Sequence, residues 1–339
     1  MFHGQLNSSF EHIRSTLRER ILQVREDEFN ALALDVFRFQ AVHNPLYAKY
    51  LELLGKPISS VKTVEQIPFL PIELFKFYDI QTGQWAPERV FRSSGTTGQT
   101  TSRHLLRDPD WYRAGARRAF ARQYGPVENF CFLALLPSYL ERNNSSLVFM
   151  AEDFISLSPY PQSGFYLYNT ADLVKVISDC LQNKIPTVLL GVSFALLDLA
   201  EAFPMPLEPV IVMETGGMKG RREELTREQL HEVLRDGFQL QHIHSEYGMT
   251  ELLSQAYSPG NGRFYAAPTM RVLAREAADP FAVRPWGQNG ALNIIDLANV
   301  DTLSFIATDD LGRVAEDGSF EVTGRLDSSE IRGCNLMVE

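Results

Sequence analysis

The stretch Ser93-Ser94-Gly95-Thr96-Thr97-Gly98 packs hydroxyls and two glycines into six positions with no acidic residue among them. Glycines let backbone N–H groups turn inward and hydroxyls add donors, so such a loop can hold phosphate oxygens without a charge. It is not a Walker A loop, because no Lys-Ser/Thr pair follows Gly98. A polar surface loop has the same composition. A second group is Tyr247-Gly248-Met249-Thr250-Glu251. A strand-like FQLQHIH leads in and an apolar helical pattern leads out, which predicts Thr250 and Glu251 at a helix N-terminus, a place that favours anions. A carboxylate there suits a Mg²⁺ that keeps its waters and bridges to phosphate. For Glu251 taken alone, complementing a helix dipole is the simpler role.

Two further groups carry weaker signals. Thr215-Gly216-Gly217 ends an apolar run, and a strand breaking into paired glycines makes a crevice at the carboxyl edge of a sheet; a plain tight turn reads the same way. Asp309-Asp310 and Gly324-Arg325-Leu326-Asp327 bracket a hairpin pattern. Carboxylates so placed can hold ribose hydroxyls, or simply form acidic turns.

The elements that must position these groups follow from periodicity. Up to about residue 90 the apolar spacing is mostly helical, with breaks at Pro68 and Pro71. From Arg89 to about Tyr257, short apolar runs (NFCFLALLPS, PTVLLGVS, EPVIVMETGG) alternate with amphipathic stretches (DLVKVISDCLQN, REELTREQLHEVLRDGF), which predicts an α/β sheet covered on both faces. Beyond Tyr257 the helical pattern stops. Short strands with Gly, Asp and Asn turns predict a small β subdomain.

Composition narrows the classes. With 45% hydrophobic and 22% charged residues, the chain reads as an ordinary globular protein. A net charge of -10 argues against a nucleic-acid binder. The longest apolar run, Pro186 to Ala200, is too short to span a bilayer, and the start lacks a basic segment followed by an apolar core. Cys131, Cys180 and Cys334 are odd in number and lack CxxC spacing, which suits a reducing cytoplasm and no disulfide framework. Cys131 and Cys180 are expected in the core.

The order of the motifs is more specific than any one of them. A Ser/Thr/Gly loop, a strand ending in Gly-Gly, Tyr-Gly-Met-Thr-Glu, Thr-Asp-Asp and Gly-Arg-Leu-Asp occur in the order seen in the acyl-adenylate-forming enzymes, and the chain resembles that superfamily. Within it, LLPSYLERNNSSLVFM, EYGMTELLSQAYS and SSEIRGCNLM resemble the acyl-protein synthetases, the long-chain fatty acid–protein ligases of bacterial bioluminescence. The resemblance runs from about residue 60 to the end and, more weakly, over the helical start.

What the resemblance implies can be stated residue by residue. The fold class would be α/β, the acyl-adenylate-forming large domain with sheets flanked by helices and a small C-terminal β subdomain. The division would be a helical region (1–90), an adenylating core (91–257), a β subdomain (258–327) and a tail (328–339). The loop from Ser93 through Ser94, Gly95, Thr96, Thr97 and Gly98 would close over the phosphates of ATP. Thr250 would contact the α-phosphate and Glu251 would hold Mg²⁺. Thr215, Gly216 and Gly217, with Tyr247, Gly248 and Met249, would wall the nucleotide pocket. Asp310 would bind the ribose hydroxyls, with Arg325 beside it.

Two departures from the family pattern shape the expected chemistry. The loop continues into Gln99-Thr100-Thr101 instead of Pro-Lys, leaving Arg103 and Arg107 as candidate cations. The sequence given ends twelve residues after Asp327, which leads us to expect neither the family's mobile lid domain nor its lysine. In the acyl-protein synthetases the tail carries an acylated cysteine, and Cys334 stands in the matching place. A thiol is a good nucleophile toward an activated acyl group. The expected activity is therefore ATP- and Mg²⁺-dependent activation of a carboxylic acid, a fatty acid by family default. Transfer to Cys334 and then to a partner protein such as a reductase would follow. The alternatives are direct transfer to a diffusible thiol such as coenzyme A, or a non-catalytic scaffold that binds acyl nucleotides.

Overall fold

The computed structural model describes residues 2–93, 100–137, 144–167, 169–216 and 225–326. The chain opens with helices α1 (Phe2–Leu22), α2 (Phe29–His43) and α3 (Pro45–Leu53). Asn44 starts α3 with Pro45 in the first turn, its side chain accepting from the Tyr47 N–H at 3.0 Å. After β1 (Leu70–Pro71) and a 3₁₀ turn (Ile72–Lys76) come the paired strands β2 (Arg89–Arg92) and β3 (Arg103–Leu106).

The α/β part follows: α4 (Pro109–Tyr124), β4 (Cys131–Leu135), α5 (Ser146–Leu157), β5 (Gly164–Phe165), α6 (Thr170–Gln182), β6 (Thr187–Val192), α7 (Ser193–Ala202), β7 (Ile211–Thr215), α8 (Arg227–Phe238) and β8 (His244–Tyr247). Strands β5, β4, β6, β7 and β8 lie parallel in that order. Every residue of β4 and β6 is buried, as a strand covered on both faces requires. The helices start where capping groups allow. Asp108 caps α4 and Ser145 caps α5, while Thr226 and Gln229 form a reciprocal capping box at α8.

The small β subdomain comprises β9 (Ala256–Ser258), β10 (Arg263–Ala266), β11 (Met270–Arg275), β12 (Asn289–Asp296), β13 (Phe305–Val314) and β14 (Phe320–Arg325). These strands pair antiparallel with one another, β10 with both β9 and β14, while β1 adds to β13 in parallel. Hydrogen bonding thus runs unbroken from the parallel strands into the subdomain. An aromatic cluster locks α4 and α5 onto the sheet. The Phe120 ring touches Tyr124, Phe132, Phe154 and Tyr257 at centroid distances of 4.9 to 5.8 Å. Such pairs add about 0.5–1.5 kcal/mol each beyond area burial. Among the described residues, no helix is long and apolar enough to cross a membrane.

The N-terminal helices grip one segment, residues 297–304. Arg14 of α1 donates to Asp301, with Nη2 at 2.8 Å from Oδ2. Gln40 of α2 donates to the Asn299 carbonyl at 2.9 Å and accepts from the Ser304 N–H at 3.0 Å. Asn44 donates to the Thr302 carbonyl at 2.9 Å. All these groups are buried, and each satisfies a polar group that would otherwise be stranded.

Candidate active site

Strands β6, β7 and β8 all end at one opening, a cavity of about 720 Å³ at the carboxyl edge of the parallel sheet. Ligands bind at this edge in α/β sheets because the turns that follow the strands leave a crevice. The cavity is lined by Thr215 and Gly216 after β7, and by Tyr247, Gly248, Met249, Thr250 and Glu251 at and after β8. Asp310 of β13 and Arg325 of β14 reach it from the subdomain; the two are register partners. Ser93 reaches it from the base of the β2–β3 pair. Ser94, Gly95, Thr96, Thr97, Gly98, Gly217 and Cys334 lie outside the described residues.

The stems of the hydroxyl-rich loop are clamped together. Ser93 N–H donates to the Ser102 carbonyl at 3.1 Å, and Ser102 N–H donates to the Ser93 hydroxyl at 2.9 Å. Ser93, Thr100 and Ser102 all face the cavity. Gly216 has φ of +36°, which a side chain would strain. A Cβ at Gly248 would come within 2.4 Å of Glu246 Oε1, so the backbone here passes directly over that carboxylate.

Thr250 and Glu251 do not begin a helix, contrary to the expectation from the apolar pattern that follows them. They form a turn, and the chain runs on to β9. Tertiary contacts override the local pattern. The Asp296 carboxylate accepts from the Leu253 N–H (2.7 Å), the Ser254 N–H (2.9 Å) and the Ser254 hydroxyl (2.6 Å), taking up donors that a helix would leave to its own carbonyls. The turn is fixed from two further sides. The Asn299 side chain donates to the Glu251 carbonyl at 2.8 Å. His104, fully buried on β3, donates from Nδ1 to the Thr250 carbonyl at 2.7 Å. A carbonyl only accepts, so Nδ1 carries the proton, and Nε2 accepts from the Thr302 hydroxyl at 3.0 Å. Burial lowers the pKa of His104 to about 4 against the weaker pull of the Thr250 bond, so the ring is neutral. The segment that the N-terminal helices grip is therefore the one that holds this turn.

The end of β8 divides the cavity into two flanks, because successive side chains of a strand point to opposite faces. On one face lie Glu214 and Ser245, which approach His231 of α8. Burial would raise the Glu214 pKa, but His231, Arg227 and Ser245 outweigh it and hold it below the ordinary value. Arg227 Nε lies 3.4 Å from Glu214. On this flank the Tyr247 hydroxyl donates to Asp310 Oδ2 at 2.8 Å. Burial raises the pKa of Asp310, with the Tyr247 bond opposing. On the other face lie Thr215 and Glu246, joined by a hydrogen bond of 2.6 Å and facing Tyr112 of α4, Met150 of α5 and Gln255.

Glu251 is buried, and desolvation raises its pKa, with the Ser102 hydroxyl and the charges of Arg325 and Lys76 opposing. Among the described residues no three His, Cys, Asp or Glu side chains gather into a metal cage. The donor set fits a cation held by a single carboxylate together with ligand phosphates and waters, which is the habit of Mg²⁺.

Several lining residues carry no motif in the sequence. Lys76, Arg92 and Arg227 supply cations to the cavity, whereas Arg103 pairs with Asp79 (3.0 Å) and Arg107 with Glu11 (2.7 Å), and neither lines it. His242 and His244 do not line it either; His244 meets the Tyr124 hydroxyl at 3.1 Å. Lys76 ends the short 3₁₀ turn and reaches the site only through tertiary folding. Arg227 could have been suspected, because it opens the helix inside the Thr226–Gln229 capping box that comes after the Gly-Gly turn.

A 2-hydroxyisobutyryl-CoA ligase, solved in an open conformation with 2-HIB-AMP and CoA, matches 91% of this chain and 78% of its own at a TM-score of 0.64 and 15% identity. The chain has the adenylate-forming fold. ATP-bound MatB from Rhodopseudomonas palustris shares that fold over 70% of this chain at a TM-score of 0.53 and 14% identity; the match spans 47% of MatB, about half its length. In sequence, the chain is 24% identical over 343 residues to a long-chain-fatty-acid–luciferin-component ligase of Aliivibrio fischeri, covering 90% of this chain and 86% of that protein. No family model matches.

Proposed function

We propose that the chain is a member of the acyl-adenylate-forming superfamily that activates a carboxylic acid with ATP and passes the acyl group to a thiol. The observation that carries this reading is the convergence of Thr250, Glu251, Asp310, Arg325 and the clamped loop stems on one cavity in an adenylate-forming fold. Two proteins with this fold were solved with ATP or with an acyl-AMP.

In the first step a substrate carboxylate oxygen bonds to the α-phosphorus of ATP while the bond to the bridging oxygen breaks, giving acyl-AMP and pyrophosphate. Asp310, held by Tyr247, accepts from the ribose hydroxyls. Thr250 donates to the α-phosphate from a turn that His104 and Asn299 hold still, so no reorganisation is needed as charge develops. Mg²⁺, held by Glu251, would offset the charge of the phosphates. Lys76, whose charge acts on Glu251, and Arg325 are the protein cations nearest that role. In the second step a thiolate attacks the acyl carbonyl and AMP leaves.

Two acceptors are supported by different observations. The ligase crystallised with CoA favours a diffusible thiol such as coenzyme A. The tail's resemblance to the acyl-protein synthetases favours Cys334 as the acyl carrier, and the sequence relative, by its name a long-chain-fatty-acid ligase, favours a fatty acid as substrate.

The test is exchange of labelled pyrophosphate into ATP across a panel of acids. We expect exchange that requires Mg²⁺, and a loss of two or more orders of magnitude in Glu251→Gln, since a metal ligand acts on charge that grows in the transition state. Exchange that survives without divalent cation, or that Glu251→Gln leaves intact, would remove Glu251 from this role.

A further inference from the structure

Two buried acceptors on the α4/α5 flank have no use in the adenylation step. Glu246 is 8% exposed. Among the described residues it makes one hydrogen bond, from the Thr215 hydroxyl to Oε2 at 2.6 Å, and no Arg or Lys pairs with it. Its neighbour on the opposite face, Glu214, is compensated by Arg227 and His231. Gln255 is 3% exposed. Its Nε2 donates to the Tyr112 hydroxyl at 3.3 Å, and Tyr112 in turn donates to the Ser146 carbonyl at 3.1 Å. That chain fixes the amide orientation, because a hydroxyl whose proton is committed to a carbonyl can only accept from the amide. Gln255 Oε1 is then left buried and without a partner. Both residues line the cavity.

Buried polar groups are normally paired, and one that lines a binding cavity without a partner points to a group supplied by the ligand. A plain alkyl chain would desolvate both acceptors and give neither a donor. We propose that the acyl group taken by this site carries a hydrogen-bond donor, a hydroxyl or an ammonium, that reaches Glu246 and Gln255. The substrate is then a polar-tailed carboxylic acid, and Glu246 and Gln255 set its specificity. The inference rests on the adenylation reading and departs from the fatty acid that the sequence relative suggests. The electrostatics agree: burial pushes the Glu246 carboxyl up to about 7, with Glu214 adding to it and the Thr215 bond opposing, as expected of a carboxylate that lacks its cation.

The experiment measures pyrophosphate exchange with butyrate, hexanoate and octanoate, with their ω-hydroxy and ω-amino counterparts, and with tetradecanoate. We expect one polar series to exceed its alkyl counterpart of equal length by about tenfold or more in kcat/KM, because a site built to hydrogen-bond a group rejects the analogue without it. The better series says whether the donor is a hydroxyl or an ammonium. Glu246→Gln and, separately, Gln255→Leu should each shrink that ratio several-fold. Calorimetric binding of the preferred acid in the presence of a non-hydrolysable ATP analogue should weaken in parallel, with binding of the analogue itself reporting on the fold. Exchange with tetradecanoate or the alkyl acids equal to or above the polar series overturns the inference and leaves adenylation standing. An unchanged ratio in both variants also overturns it. If no acid supports exchange, the adenylation reading fails and takes the inference with it.

Discussion

The Tyr247 hydroxyl donates to Asp310 Oδ2 at 2.8 Å, tying the end of the last parallel strand to the second-last strand of the subdomain. Tyr247 is itself fixed by edge contacts to Phe320 and by Phe264, so the carboxylate it holds is placed before any nucleotide arrives. Asp310→Ala should therefore weaken ATP binding about 10- to 100-fold, from the loss of charge-assisted bonds worth about 1.5–3 kcal/mol. Asp309 is more exposed and, among the described residues, its carboxylate pairs only with the outer Arg325 at 3.8 Å, so Asp309→Ala should change affinity by no more than about threefold. Calorimetry on both variants decides. The reverse ranking would assign the ribose to Asp309.

The motif residues that line the cavity stand out in the sequence because they are unusual types in a particular order along the chain. The alternation of apolar runs and amphipathic stretches likewise announced the parallel strands and their helices, and the Gly- and Asp-punctuated runs announced the subdomain. The turn after β8 was misread because Leu252 and Leu253 continue a helical pattern, while the group that overrides it, Asp296, is over forty residues away. His104, Lys76 and Gln255 were invisible for the same reason. Each enters the site through contacts made by distant segments, and nothing in its own neighbourhood marks it.

His104 offers a test of that distant positioning. His104→Asn can still donate to the Thr250 carbonyl but loses the bond to Thr302, whereas His104→Phe loses both. We expect Asn to keep exchange within about tenfold of wild type and Phe to lower kcat by about 10²-fold with a smaller change in the KM for ATP, since a 1 Å misplacement costs that much. The pH dependence of stability gives an independent readout. The folded pKa of about 4 lies below the unfolded value of about 6.5, so the unfolded chain takes up the proton first. Stability is lost as pH falls from about 6.5 toward 4, by roughly 3 kcal/mol for this group, and does not depend on it above 6.5. His104→Asn should flatten part of that acid limb in urea titrations; His244, also lowered to about 4 by burial, and the depressed carboxylate of Glu214 keep contributing in both proteins.

Glu246 predicts a slope of opposite sign. Its folded pKa of about 7 lies above the unfolded value, so between about pH 4.5 and 7 the folded chain holds a proton that the unfolded chain has released. Stability from this group is present at low pH and lost as pH rises through 7, again by roughly 3 kcal/mol. Glu246→Gln removes that titration. The variant should be close to wild type at pH 5 and more stable than wild type at pH 8, by several degrees in Tm. A site that keeps a destabilising carboxylate where an amide would fit is giving up stability for binding. Equal stabilities at pH 8 would mean that Glu246 has a compensating partner.

Cys334 separates the two acceptors. Adenylation uses only cavity residues, whereas an acyl-enzyme needs the tail. The nine steps from Arg325 to Cys334 can extend about 30 Å at roughly 3.3 Å each, so a tail anchored beside the cavity is long enough to return to it. If the acceptor is a protein thiol, wild type incubated with ATP and labelled acid accumulates label that neutral hydroxylamine releases. Cys334→Ser should then keep pyrophosphate exchange near wild type and lose that label, or form a slower oxygen ester, because a hydroxyl is far less nucleophilic than a thiol at neutral pH. If coenzyme A is the acceptor, both proteins should yield acyl-coenzyme A at the same rate and neither should hold label after gel filtration. That second pattern would falsify the acyl-enzyme step while leaving Thr250, Glu251 and Asp310 in their adenylating roles.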